Sequence, residues 1–400
     1  MKMKNRLMIA LALAGTCAAA HAAPASLAAP VETSDRIASG VVDAALPPGD
    51  FERAPVQFAW ALDPAETVAA LPPEAMDSRS FWRTVEAAEL QQGLALTLSA
   101  PGAVIQLSPV EGARPLAGDA LQVRDRGQPV PARAFESAAL KDAGMAVAPG
   151  TAMIKLQDGG VGSYRLQVAG ASGRYVLQVL EPDSPVVLRA RTDRSVALAG
   201  DAVNAQVHMD GVQAAATDLA ARLTRAPLVA EGLLVAPDGR SWPVPLRADR
   251  SGGLAARVAI PAEGSDAPGL WELQVFAEQA GIARDTRLAF AVARPTARLA
   301  AQVAGADPGD LRFPLQVGAP GRYEVRATLF ATGTDGQLRA VAQGHSAAWF
   351  ARAGRGELAL SFAGVALPAG YGAPYELREV ELHDQTRLAP IERRARALRF

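Results

Sequence analysis

The chain has 400 residues, 50% of them hydrophobic and 5% aromatic, with 40 Lys and Arg against 41 Asp and Glu. So even a balance argues against a nucleic-acid partner, which a basic patch or stripe would mark. The single cysteine excludes a small disulfide-stapled scaffold, so the fold must rest on core burial, and the length suits two or three domains.

Residues 1–22 read MKMKNRLMIALALAGTCAAAHA. Lys2, Lys4 and Arg6 form a basic region, Leu7 to Ala20 an apolar one, and Ala20-His21-Ala22 a small-residue cleavage site. This is the layout of a secretory signal peptide, with an apolar run too short for a lasting membrane span. Cys17 offers a lipoprotein reading, against which branched, polar Thr16 stands where a small residue is wanted. Cleavage after Ala22 leaves no cysteine and 37 bases against 41 acids. No later stretch approaches the roughly 20 apolar residues of a membrane helix, so the expected location is periplasmic or extracellular.

Residues 23–77 are rich in Ala and Pro and read as an extension. Within it VQFAWAL (56–62) puts Val56, Phe58, Trp60 and Leu62 at period two, a strand expected to dock on the first domain. TVEAAELQQG (84–93) is the best helical candidate and closes on Gly93. Beyond it period two dominates. Leu94, Leu96 and Leu98 share a face, as do Leu311, Phe313, Leu315 and Val317, and Leu358, Leu360 and Phe362. Such alternation marks strands buried on one side, hence antiparallel sheets, and turn signals recur at PDGRS (237–241), DRSGG (249–253) and TDG (334–336). The class is all-β. Proline-bearing breaks at LEPDSP (180–185) and VARPTA (292–297) divide the chain into a β-sandwich domain at 78–182 and immunoglobulin-like domains at 183–294 and 295–400.

A tag recurs: GSYRLQV (162–168), PGLWELQVF (268–276) and PGRYEVRATLF (320–330) each place Gly two residues before an aromatic and an alternating aliphatic tail. Tyr164, Trp271 and Tyr323 are therefore expected at equivalent corners of three sandwiches, where a tyrosine hydroxyl bonds backbone just upstream. Tyr175 in GRYVLQV belongs to the strand that follows the first tag. PLAGDALQV (115–123) and ALAGDAVNAQV (197–207) echo each other as connections between strands. In YELREVEL (375–382) the phase slips between Leu377 and Val380, which predicts a β-bulge at Arg378 and Glu379. Pro314 at an outward position predicts a sheet-edge strand.

Taken together, FERAPVQFAWALDP, SRSFWRTVEAAELQQGLALTLSAPGAVIQLSP, YVLQVLEPDSP, PGLWELQV and PYELREVELHDQTRL resemble an uncharacterised, domain-of-unknown-function family of exported proteobacterial proteins. The resemblance spans most of the mature chain. It implies three consecutive Ig-like sandwiches and export, and it carries no catalytic or binding residues.

Chemistry-bearing motifs are sparse. His208, His345 and His383 are the only histidines after residue 22, with no pair at metal-ligand spacing. Ser346 beside His345 lacks the G-x-S-x-G context, and neighbours on a strand face opposite ways, as do His383 and Asp384. Glu181, Asp183 and Asp193 near the first boundary, and Asp307 and Asp310 after the second, suggest calcium but lack dense clustering. Terminal Phe400 follows RRARALR and reads as the end of a last sandwich strand. No catalytic, cofactor or metal residue is assigned. The expected function is a non-catalytic binding or adhesion module of the bacterial envelope, with a protein or glycan partner. The competing expectation is a hydrolase, or its accessory, with a site at a domain junction.

Overall fold

The computed structural model describes residues 25–66, 75–211, 226–265, 267–305 and 307–400; the expected signal peptide lies outside them. The chain builds three sandwiches, each around its own core. In the first, a sheet in the order Ser80–Glu86, Arg174–Leu180, Val104–Pro109, Ala152–Leu156, Ala132–Glu136 packs on Leu94–Leu98, Gly162–Val168, Leu121–Asp125, Gln128–Pro129. Leu94, Leu96 and Leu98 are buried there with Leu166 and Val168, as period two requires. The helix Ala87–Gln92 starts at a capping box between Glu86 and Glu89 and ends at Gly93, whose φ of +91° suits glycine.

The second sandwich opposes Arg247–Ala248, Leu254–Ala259, Ala202–Asp210, Val187–Thr192, Ala75–Ser78 to Val196–Leu198, Ile282–Ala293, Trp271–Gln279, Val229–Val235, Ser241–Val244. Ala75–Ser78, which precedes the first sandwich in sequence, thus adds an edge strand to the second. The third opposes Val56–Ala61, Leu338–Phe350, Gly321–Thr332, Gly372–Asp384, Ala389–Arg399 to Ala297–Leu299, Leu311–Val317, Gly354–Leu360. Pairing is antiparallel except between Val196–Leu198 and Ala291–Ala293.

The strand in VQFAWAL therefore docks on the third sandwich, not the first, as Val56–Ala61 paired with Ala342–Ala347. Its aromatics also point outward, because Ala59 lies opposite Gly344, where even an added Cβ would come within 3.0 Å of Leu360 and Phe362. Only small side chains fit on the inner side there. The rest of the extension straps the third sandwich, held largely by arginines that donate to its carbonyls. Arg298 reaches Ser39 (2.9 Å), Arg387 reaches Ala44 and Ala45 (both 2.9 Å), and Arg322 reaches Glu52 and Ala54 (3.1 and 2.6 Å).

The bulge forms where the phase slipped: Leu377 and Val380 are both fully buried, and Glu379 between them takes φ +50°. Pro314 departs from expectation, since Leu311–Val317 is the central strand of its sheet. The proline sits one residue beyond the reach of Ala297–Leu299, where its carbonyl accepts the Ala300 N–H (2.8 Å) and only the return bond to Ala300, outside the strand pairing, is lost. The three tags are likewise not equivalent corners. Tyr164 and Trp271 lie on strands followed in the same sandwich by one more strand, whereas the strand of Tyr323 is followed by four. What Tyr164 and Tyr323 share is local: each hydroxyl donates to the carbonyl four residues upstream, Gly160 (2.9 Å) and Ala319 (2.8 Å). Trp271 instead stacks on Trp242 at 5.6 Å.

Candidate functional site: the outer face of the third sandwich

In an antiparallel sheet, residues directly opposite each other project to the same side. Five strands and the strap bring six residues into one row across the outer face of the larger sheet. Phe58 lies opposite His345, His345 opposite Arg326, Arg326 opposite Glu381, Glu381 opposite Arg393, and Arg393 is bridged to Arg36 of the strap. A second row runs beside it through Trp60, Gln343, Thr328, Arg378 and Arg396. Five interstrand steps of about 4.8 Å give the first row a span of about 24 Å.

One end is aromatic. Phe58, Trp60 and His345 form a near-parallel trio with ring centroids 5.7, 5.3 and 5.2 Å apart. Phe58 and Trp60 remain 51% and 39% exposed. Glu324 holds the His345 ring through Nδ1 at 2.6 Å. Nearby, Trp349 stacks on Phe51 with the Arg53 guanidinium over its ring.

The middle is charged but compensated. Glu381 accepts from Arg326 Nε (2.6 Å) and lies 2.8 Å from His383 Nε2. Burial alone raises its pKa, but the His383 hydrogen bond and the Arg326 charge outweigh this and hold it at about 2. Glu379 takes Arg393 at 2.6 Å.

The other end is rich in arginine. Arg393 also donates to Ser34. Arg36 is 6% exposed and donates through Nε to the Ile391 carbonyl (3.0 Å). Among the described residues no carboxylate lies within ion-pair distance of Arg36, and burial lowers its pKa to about 10, still far above neutrality. Arg194 touches Asp193 at 3.4 Å, and its buried Nε has no partner among the described residues. These groups border a cleft of about 1300 Å³, floored by the sheet and walled by strap residues Glu32, Thr33, Ser34 and Arg36 and second-sandwich residues Asp193–Val196.

The histidines are separated by this geometry. His345 and His383 share the outer face, on either side of Glu324, while His208 lies in the second sandwich opposite Arg189 and does not line the cleft. Ser346 points inward and is buried. Asp384 is fully buried, accepting from Thr296 Oγ1 and Arg387 Nη1, both at 2.7 Å. Neither therefore serves a histidine. Glu181 is spent on Arg284 at 2.6 Å, and Asp193 on Asn204 and Arg194. Asp183 is exposed, Asp307 accepts the Gly309 N–H, and Asp310 pairs with Arg312. Among the described residues no group of three or more His, Cys, Asp or Glu could hold a metal ion, and no helix is long and apolar enough to cross a membrane. The arginines of the cleft were invisible to motif reading because Arg36, Arg194 and Arg393 come from distant parts of the chain. The outward turn of Phe58 and Trp60 had a signal, the alanines 59 and 61 between and after them.

Two family models match the chain: the "Domain of unknown function (DUF4785) N-terminal domain" over residues 47–181 and its C-terminal domain over 296–400. The crystal structure of a DUF4785 family protein from Legionella pneumophila is similar throughout, with a TM-score of 0.65 at 18% identity over 90% of this chain and 98% of that one. Escherichia coli alpha-2-macroglobulin aligns at a TM-score of 0.27 and 13% identity, over 79% of this chain and 20% of that one. The adhesin domain of Epf from Streptococcus pyogenes aligns at 0.15 and 10% identity, over 59% and 77%. No curated protein matches by sequence.

Proposed function

Because the chain belongs to the DUF4785 family of unknown function, we propose a role drawn from its own residues: a non-catalytic binding module exported to the bacterial envelope. Export rests on the ordered basic, apolar and small-residue regions of residues 1–22. Binding rests above all on the cross-sheet row from Phe58 to Arg36, which presents exposed aromatic rings and cleft-lining arginines on one rigid face. Sites built on strands hold side chains more firmly than loops do. The same face disfavours hydrolysis. Glu381 is kept ionised inside an Arg and His network, and the buried Ser346 and Asp384 point away from the histidines.

The test places a photo-crosslinking residue at Gln343, between the two ends of the face, in protein expressed in its native cell envelope. A discrete covalent adduct at Gln343, absent when the probe replaces exposed Glu136 of the first sandwich, is the expected result. No adduct, together with turnover of ester, peptide or polysaccharide substrates by the purified protein, overturns the reading in favour of a hydrolase.

A further inference from the structure

On the premise that this face binds a ligand, we infer that the ligand is an acidic oligosaccharide lying along the row, with a sugar ring on Phe58 and Trp60 and a carboxylate between Arg36 and Arg194. Three observations carry it. Phe58 and Trp60 are 51% and 39% exposed, and with His345 their rings lie near-parallel, at interplanar angles of 8° to 24°. A pyranose offers such a surface its C–H face, which the negative face of an aromatic ring attracts. Gln343 and Glu324, beside the rings, supply the hydrogen-bonding groups that hydroxyls need.

The second observation is the unequal charge at the far end. Arg326 and Arg393 have carboxylate partners, Glu381 and Glu379. Arg36 has none among the described residues although it is 94% buried and borders the cleft; Arg194, which also borders it, meets Asp193 at 3.4 Å but keeps a buried Nε without a partner among the described residues. Two guanidinium groups border the cleft and only one of them faces a carboxylate, which favours an anion there, and their forked donors match a carboxylate. Both come from different parts of the chain, one from the strap and one from the second sandwich, so the pocket exists only when the sandwiches are packed together.

The third is shape. The ligand would lie on a sheet face, where main-chain groups are already used in the ladder. A peptide would seek the free strand edge instead. A nucleic acid would need a run of unpaired cations along its phosphates, whereas the arginine in the middle of the first row is neutralised by Glu381. A span of about 24 Å from interstrand spacing suits a short sugar chain.

The experiment measures binding of the full mature chain by calorimetry to hexamers of galacturonate and of hyaluronan, to the methyl ester of each, and to maltohexaose. At least one acidic hexamer is expected to bind at least tenfold more tightly than its methyl ester and than maltohexaose. R194Q, which leaves the strap untouched, and W60A are each expected to weaken that binding at least fivefold while the circular dichroism spectrum and melting transition stay unchanged. Equal affinity for acid and ester, or insensitivity to both substitutions, overturns the proposal. If no hexamer binds while the Gln343 adduct still forms, the sugar assignment fails and the binding-module reading stands; if both are absent, both fail.

Discussion

The Glu181 carboxylate and the Arg284 guanidinium meet at 2.6 Å with both side chains fully buried, where the first sandwich joins the second. Glu181 also accepts the N–H groups of Ser99 and Ala100, and Arg284 donates to Ser99, Ser184 and the Val186 carbonyl. Of the boundary acids that suggested calcium without the clustering to bind it, one closes an arginine-centred network.

Removing one partner leaves the other charged and dry. E181A or R284A alone is expected to destabilise the chain by about 3–5 kcal/mol, whereas E181L with R284M should recover most of the loss. Urea denaturation of the two single variants and the double variant checks this. Losses below about 1 kcal/mol for both singles would show that the junction does not depend on the pair.

Tyr323 is fully buried, and its hydroxyl serves two carbonyls, Ala319 at 2.8 Å and Thr296 at 3.1 Å. Y323F should cost about 1–3 kcal/mol by leaving buried carbonyls unmet, and Y323A about 3–5 kcal/mol by opening a cavity. Burial, aided by the Asp384 charge, pushes the Tyr323 pKa up to about 12. The unfolded chain loses this proton near pH 10 and the folded one does not, so stability should fall as pH rises from about 10 to 12. The ultraviolet titration of Y323F should lack that late phase.

Glu381 and Glu392 sit on adjacent strands of the third sandwich with opposite pH signatures. Glu392 is fully buried; burial, only partly opposed by Arg394 and by the backbone N–H groups of Leu299 and Ala38, raises its pKa to about 7. The unfolded chain ionises it near 4.5 while the folded one keeps the proton, so this group costs stability as pH rises from about 4.5 to 7. E392Q should therefore be more stable than the parent at pH 7, by something on the order of 1–3 kcal/mol, with little difference at pH 4. Glu381, held at about 2, contributes stability that is present above 4.5 and lost as pH falls through 2. E381Q should thus be less stable than the parent at neutral pH. Denaturation curves across pH 2 to 8 distinguish the two variants; parallel curves would refute both assignments.

Without residues 23–62, the strand Leu338–Phe350 would lose its partner Val56–Ala61 and become a bare sheet edge. Such edges invite pairing with another chain. The shortened protein is expected to form dimers or larger aggregates in size-exclusion chromatography with light scattering, while the parent does not. R298A, which removes the bond to Ser39, should speed proteolysis within the strap without releasing the edge strand.

The alternation of Leu94, Leu96 and Leu98, or of Leu311, Phe313 and Leu315, dictates strands with one buried face wherever they pair. The three-residue step from Leu377 to Val380 dictates a bulge in the same way, because both side chains must be buried. These are local requirements, and the sequence alone determined them, along with the all-β class. Which strand pairs with which is a long-range matter. Period two in VQFAWAL allows either face to turn inward, and crowding by Leu360 and Phe362 beneath Gly344 selects the alanines. Arg36, Arg194 and Arg393 acquire meaning only where strap, second sandwich and sheet face meet. No local pattern records that meeting, because it is set by register across strands hundreds of residues apart.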